Sequence, residues 1–469
     1  MLRAFSSVGR APPLQGGCRE FKSLNAHHKK REPGSLFLLL KNGETQLKIG
    51  IIGLGTVGSG VVKTLRNFTD IEIVGISVKN LSKKRNIDGL DENLLTNDSM
   101  SLVNNSEIDV IVEVAGGVDS VFEPIKQAIR NKKHIITANK ELLAKHGKEL
   151  FELAKEHGVV ILYEAAVGGG IPIIMPLKTA LRANKIEEVA AILNGTTNYI
   201  LTKMAEDGCD YAEVLKEAQA LGYAETDPTG DVEGFDASYK IALLASIVFN
   251  SRIDIKDIYK EGITKITAKD MANACDLGYK IKLIALARRV GESVDVRVHP
   301  MLVSENSTLA SINNVTNAVL LKGFPVGEVA FIGPGAGEFP TASAVVGDIL
   351  ALNSDMKVNA VPLALLRCEH ISDKKDNADV VDILETENKY YISLNVANTP
   401  GVIGLIGTVC GDCGINLSSL LQKDVHTDDS AEVIVVTGVT KECNIKKALE
   451  ILEKESTVNA VESVIRVMD

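Results

Sequence analysis

Residues 47–58 read LKIGIIGLGTVG. An apolar run ends on Gly53-Leu54-Gly55-Thr56-Val57-Gly58 and leads into a helical stretch. That is the strand, glycine turn and helix of a dinucleotide loop. Gly53 is expected to permit the tight turn and Gly55 to let the backbone approach a pyrophosphate. Gly58 is expected to let helix and strand pack closely. A GxGxxG alone is a weak signal, and its surroundings raise it. Runs 71–78, 108–114, 134–137 and 159–163 are β-rich, and 119–131 and 141–156 have helical spacing. This βαβ order predicts a mostly parallel sheet.

The end of the second strand bears on the cofactor. An acid about 20 residues past the loop holds the ribose of NAD. Here the chain reads Ser77-Val78-Lys79-Asn80, without a carboxylate. Lys79 either faces a 2′-phosphate, which favours NADP, or is a solvated lysine; use of NAD stays open.

Length and composition set the outer bounds. A chain of 469 residues implies two or three domains. With 45% hydrophobic and 24% charged residues it reads as soluble and globular. A net charge of −10 argues against nucleic acid as a partner. No apolar run reaches the ~20 residues of a membrane span. The seven cysteines are sparse and irregular, as in a reduced cytoplasmic protein. Cys410-Gly-Asp-Cys413 lacks a second pair and reads as small residues packing in a helix. Residues 1–46 carry eight Lys/Arg against three Glu, leaving about −15 on the remainder. Such a start suits a transit peptide. It also resembles the read-through of a transfer-RNA gene. The native start is expected near Leu47, with the extension disordered or spurious.

Further along, 172–204 and 211–221 show helical periods, with the polar Asn194-Gly-Thr-Thr-Asn198 as an interruption between a strand and a helix. Helices are expected over 237–248 and 341–350, the latter after Gly333-Pro-Gly335-Ala-Gly337. Residues 371–389 are polar and read as a linker. Residues 390–469 show a βαββαβ rhythm, long enough for a small independent domain.

Two segments carry chemistry. LGYAETDPTGDVEGFDASYK, residues 221–240, holds Glu225, Asp227, Asp231, Glu233, Asp236 and Lys240. Asp236 and Lys240 are four apart and share a helix face. A surface ion pair is the plain reading of such a pair. The density of acids favours a site that holds a substrate ammonium, with a buried lysine moving a proton. Glu164-Ala-Ala-Val-Gly-Gly-Gly-Ile171 is a flexible exit from the nucleotide domain. It suits a hinge. It equally suits an oxygen-only cation site, with backbone carbonyls pointing inward beside the Glu164 carboxylate.

GLGTVGSG (53–60), TANK (137–140), NGTTNYI (194–200), the 221–240 segment and the GxGAG of 333–337 resemble homoserine dehydrogenases. The likeness runs from about 47 to 370. Asn398-Thr-Pro-Gly-Val402 and Gly414-Ile-Asn416 resemble an ACT regulatory domain. The resemblance implies an α/β architecture. A Rossmann-type domain spans 47–164, completed by about 335–370. An α+β catalytic and dimerisation domain spans 165–334, and after the 371–389 linker comes a ferredoxin-like ACT domain over 390–469. The implied reaction interconverts L-homoserine and L-aspartate 4-semialdehyde with NAD(P), in threonine, methionine and isoleucine biosynthesis. Implied roles are Lys240 for proton transfer with Asp236 as partner, and Glu225 and Asp231 for the substrate amino group, with Thr196 and Tyr223 nearby. Lys140 would lie between cofactor and substrate. Gly53, Gly55, Thr56, Val57, Gly58, Lys79, Gly222, Glu225 and Gly337 would touch the cofactor. Glu164, Val167, Gly169 and Ile171 would hold sodium, mostly through main-chain oxygens. Threonine is the implied effector, and a homodimer or homotetramer the implied assembly. The chain departs from the family pattern at Lys79-Asn80, where Arg-Asp is commoner.

Two other readings compete. An ACT-bearing 2-hydroxyacid dehydrogenase would place the glycine loop mid-chain and use a His–Glu pair, yet 165–298 holds no histidine. A non-catalytic amino-acid sensor would bind ligand without turnover, which the intact Glu225, Asp236 and Lys240 argue against.

Overall fold

The computed structural model describes residues 46–362, 377–427 and 430–468. The 1–46 extension, apart from Gln46, lies outside them, as do residues 371–376 of the expected linker. Among the described residues no helix is long and apolar enough to cross a membrane.

Six parallel strands form the first sheet: β1 (Leu47–Ile52), β2 (Ile71–Ser77), β3 (Leu95–Thr96), β4 (Val110–Glu113), β5 (His134–Thr137) and β6 (Ile161–Leu162). Their order is β3-β2-β1-β4-β5-β6. The order in which strands are added switches sides between β1 and β4, which opens a crevice at their carboxyl ends. Both faces of these strands are covered, so β4 is buried throughout, Glu113 included. A late element finishes this layer. Ala342, Val345, Val346, Ile349 and Leu352 of helix Glu338–Lys357 join the core formed by β1 and helix Thr56–Leu65.

The second sheet has eleven strands. These are β7 (Lys185–Ile192), β8 (Tyr259–Lys260), β9 (Tyr279–Val290), β10 (Ser293–Ser304), β11 (Thr316–Phe324), β12 (Gly327–Pro334), β13 (Glu387–Ala397), β14 (Leu417–Thr427), β15 (Ser430–Thr437), β16 (Thr440–Lys441) and β17 (Val458–Met468). The main path is β12-β11-β7-β9-β10-β17-β13-β15-β14. The strand expected ahead of Asn194 is Lys185–Ile192, whose Val189, Ala190, Ala191 and Ile192 are buried in the sheet, and it interrupts the helical period of 172–204. The independence expected of the C-terminal unit is corrected. The C-terminal βαββαβ unit is continuous with the preceding sheet, since β17 pairs in parallel with β10 from Met301↔Arg466 to Val303↔Met468. The described end of the expected linker follows the same course: Asn377 and Val380 bridge to Arg252 and Val294. Cys410 and Cys413 are both buried in the C-terminal core.

One buried cation fixes the loops beneath the site. Lys282 on β9 is 2% exposed. Its ammonium donates to Asn198 Oδ1 (3.0 Å), the Ile312 carbonyl (2.5 Å) and Asn313 Oδ1 (3.1 Å). No carboxylate faces it in these contacts. Burial, and then the charge of Lys280, push its pKa down from 10.5 to about 8. Between those values only the unfolded chain holds the proton, so the stability from this group rises with pH across that window. The stability gap between the parent chain and Lys282→Met, read by urea unfolding on either side of the lower value, should therefore widen as pH rises; a constant gap would contradict the assignment.

Candidate active site

The glycine loop does what its spacing requires. Gly53 sits at φ +104°, and a Cβ there would come within 2.6 Å of the Ala115 backbone on the neighbouring β4 loop. A Cβ on Gly58 would lie 2.2 Å from the Gly53 carbonyl oxygen. Gly55 faces open space and precedes helix Thr56–Leu65. The free N–H groups and positive end of that helix suit a pyrophosphate. Gly337 precedes a second helix, Glu338–Lys357, and lines the same cleft as Thr56 and Val57. Around Gly53 and Gly55 a second hollow, of about 1400 Å³ and open to solvent, is bordered by Lys79, Lys83 and Arg85. Lys79 is exposed there.

The TANK motif joins the β4 loop, whose Ala115 lies against Gly53, to the reacting centre. Thr137 donates to Glu113 Oε2 at 2.6 Å, and Glu113 Oε1 accepts the amides of Ala115 and Gly116. Asn139 caps helix Lys140–His157 by accepting the Leu142 amide, while its own amide holds the Gly117 carbonyl at 2.6 Å. Lys140 is then the first residue of that helix, where a cation opposes the helix dipole. Its ammonium is compensated by Asp236 Oδ1 at 3.1 Å. The Asp236 charge holds the Lys140 pKa up against burial.

Asp236 stands in the first turn of helix Phe235–Val248, and Lys240 one turn on. That helix is buried on nearly every side, and Lys240 is only 8% exposed. A lysine there needs a partner. Its ammonium donates to Asp236 Oδ2 at 2.6 Å and to the Leu193 carbonyl at 2.7 Å. Its third proton has no partner among the described residues, and the group borders the cleft. Burial alone would raise the Asp236 pKa; Lys240 and Lys140 outweigh it and hold the carboxyl far below its ordinary value. Asp231 is pushed the other way, first by burial and then by the Asp236 charge.

Asn194 resolves that repulsion. Its amide nitrogen donates to Asp231 Oδ1 (2.7 Å) and Asp236 Oδ2 (3.0 Å). Its side-chain oxygen caps helix Gly195–Asp207 at Thr197. Thr196 donates to the Tyr223 carbonyl at 2.6 Å, which ties this helix start to the 221–224 turn. Lys140, Asn194, Thr196, Gly222, Tyr223, Asp231, Asp236, Lys240 and Gly337 thus line one open cleft of about 1410 Å³.

The acidic run divides. Asp227 is exposed and caps Thr229, and Glu233 accepts from Thr264. The Glu225 side chain is exposed and lies outside the residues lining the cleft, so the structure does not bring it together with Asp231. The Glu164 carboxylate does not point inward beside the glycine-rich carbonyls. It accepts the amides of Ile173 (2.5 Å), Ile174 (2.7 Å) and Met175 (2.7 Å) at the start of a short helix. Burial raises its pKa against these bonds.

A homoserine dehydrogenase family model matches residues 172–350, and the NAD-binding domain model of the same family matches 53–164. The chain is similar to the homoserine dehydrogenase of Synechocystis sp., 44% identical over 438 residues, covering 90% of this chain and 99% of that protein. For the Bacillus subtilis homoserine dehydrogenase the identity is 38%, covering 90% and 98%. The crystal structure of a homoserine dehydrogenase from Thiobacillus denitrificans superposes with a TM-score of 0.84 at 38% identity, covering 90% of this chain and 98% of that one.

The chain belongs to the homoserine dehydrogenase family. A hyperthermophilic archaeal homoserine dehydrogenase in complex with NADPH aligns over 65% of this chain and 97% of its own, at TM-score 0.56 and 27% identity. The activity is that of an NAD(P)-dependent oxidoreductase acting on CH–OH, and the hydroxyacid dehydrogenase and sensor alternatives fall away. Within a homoserine dehydrogenase cleft, Asn194 and Glu113 are the residues that sequence reasoning missed. Asn194 was visible as the polar break in NGTTNYI, and Glu113 as a lone acid ending a buried strand. Removing Asn194 leaves two carboxylates facing without their shared donor. One hydrogen bond to a charged group contributes about 1.5–3 kcal/mol. Asn194→Ala should therefore raise the homoserine KM roughly 10- to 100-fold while leaving NADPH affinity unchanged, as steady-state kinetics and cofactor fluorescence would measure.

Proposed function

We propose that Lys240 is the proton donor to the substrate oxygen in the interconversion of homoserine and aspartate 4-semialdehyde. The observation carrying this is the third Lys240 proton, unpartnered among the described residues and bordering the cleft while the other two are taken. A bound dinucleotide supplies the hydride. In the reducing direction negative charge develops on the aldehyde oxygen, which the Lys240 ammonium neutralises by donating its proton. Asp236 keeps that ammonium aimed. Asp231, whose second oxygen is free of the Asn194 bond, takes the substrate ammonium. Lys140 separates the cofactor and substrate ends of the cleft. Thr196 and Tyr223 wall the substrate side. Glu225 joins Asp231 only with a rearrangement of its exposed loop.

NADP is the proposed cofactor, supported by Lys79, Lys83 and Arg85 where NAD enzymes carry an acid, and by the NADPH bound to the archaeal relative. A monovalent cation, sodium by its oxygen-only donors, suits the 164–171 loop. Val167 and Ile171 are buried, and Gly168 and Gly169 take positive φ. The carbonyls of Val167, Gly169 and Ile171 accept no backbone hydrogen bond from the described residues. With the Glu164 main-chain oxygen they would hold the ion and stiffen the loop against Gly335. Regulation by threonine through an ACT-type tail is supported by the βαββαβ order and by a hollow of about 760 Å³ lined by Asn398, Thr399, Gly401, Gln422 and Val433. Exposed Ala330 and Ile332 on edge strand β12 support self-association into a dimer or tetramer.

Homoserine-dependent reduction of NADP and NAD, with and without threonine, tests these points together. Lys240→Ala should bind NADPH normally and lose about 10²–10⁴-fold in kcat; near-normal turnover would remove Lys240 from the mechanism. Threonine should depress the rate. If it moves neither rate nor melting temperature, the regulatory part fails.

A further inference from the structure

The loop that carries Asp231 and leads into Asp236 leans on a short segment, 259–264. The Ile263 amide donates to the Val232 carbonyl at 2.9 Å. Thr264 Oγ1 donates to Glu233 Oε1 at 3.0 Å. The Lys260 ammonium lies 4.9 Å from the centre of the Phe235 ring. Gly262 fits only as glycine: a Cβ would stand 2.4 Å from the Val232 carbonyl oxygen and 2.6 Å from Glu233 Oε2. The backbone between Asp231 and Asp236 is therefore set by where this segment lies.

Little regular structure holds the segment itself. Only Tyr259 and Lys260 pair with β10, followed by the Glu261 amide on the Val298 carbonyl. Ile263 and the neighbouring Ile258 are buried in the core, and a polar anchor comes from the far end of the chain. Arg466 on β17 is 5% exposed. It grips Glu442 with two bonds, Nε to Oε2 at 2.8 Å and Nη2 to Oε1 at 2.6 Å. Its remaining terminal nitrogen, Nη1, donates to Glu261 Oε2 at 3.1 Å, and its guanidinium sits 5.1 Å from the centre of the Tyr259 ring. The Tyr259 hydroxyl donates to the same Glu261 oxygen at 3.1 Å. A planar fork can serve two carboxylates in fixed directions, which a lysine cannot reproduce.

We propose that Arg466 is a positioning residue for substrate binding, acting through Glu261 and the 259–264 segment on the loop that carries Asp231. The C-terminal unit thereby sets the affinity of the catalytic cleft for the amino acid. Its effect falls on homoserine because the held loop carries the proposed ammonium acceptor, while the dinucleotide loop lies on the other sheet. The inference rests on the assignment of Asp231 to the substrate amino group.

Glu261 is the place to cut. Its side chain is about one-third exposed, and its loss leaves the Arg466–Glu442 pair intact. In the full-length enzyme, Glu261→Ala should raise the homoserine KM at least fivefold, with kcat and the NADPH Kd within twofold of the parent. Glu261→Gln keeps an oxygen for Arg466 and Tyr259 and should recover most of that loss. An unchanged homoserine KM in Glu261→Ala would overturn the proposal, whatever the melting temperature does, because a purely structural pair would alter stability alone. Asp231→Asn run beside it separates the two claims. A raised KM in Asp231→Asn with none in Glu261→Ala defeats only the role of Arg466. An unchanged KM in Asp231→Asn removes the substrate assignment and this inference with it.

Discussion

The Asp236 carboxylate, 13% exposed, is held between two ammonium groups, and the site is organised around the need to keep it charged there. A buried carboxylate without partners costs several kcal/mol. Here Lys240 meets one oxygen at 2.6 Å and Lys140 the other at 3.1 Å, and Asn194 adds a neutral donor. Removing any partner leaves a charge in a low-dielectric pocket, so each residue constrains the rest. The same arrangement serves chemistry. The charged Asp236 carboxylate aims the Lys240 ammonium toward the cleft, where a substrate oxygen develops charge.

The fold delivers these groups from separate layers. Lys140 starts a helix that follows β5 of the parallel sheet, so its position is tied to the dinucleotide loop through Thr137, Glu113 and Asn139. Asp236 and Lys240 belong to a helix packed on the large mixed sheet. Their ion pair therefore joins the cofactor half to the substrate half. Placing Lys140 at a helix N-terminus is unfavourable in isolation. That local conflict marks the residue as functional, as does a lysine on a helix otherwise buried in apolar packing.

Local patterns were the legible part of this chain. The strand and glycine turn at 47–58 could be read from spacing because every requirement is met within a dozen residues. Asp236 and Lys240 were readable as a pair because four residues make one helical turn. What escaped was contact across long separations. Nothing local to Met301 announces that Arg466 will lie opposite it, and the tail consequently looked independent. The acidic run misled for a related reason. Charge density is a property of the sequence, but which acids face inward depends on turns at Asp227 and Gly234 and on the remote Thr264. Asn194 does not stand out within its motif, because a neutral amide gains importance only when two carboxylates converge on it.

If Asp236 works by aiming the Lys240 ammonium, the two residues act as one unit, and their contributions cannot add. A double-mutant cycle on kcat for aldehyde reduction, using Lys240→Ala, Asp236→Ala and the combined variant, measures this directly. The account predicts that the double variant is about as slow as Lys240→Ala alone. Losses that multiply, with the double variant slower by the product of the two single effects, would show independent roles and contradict it.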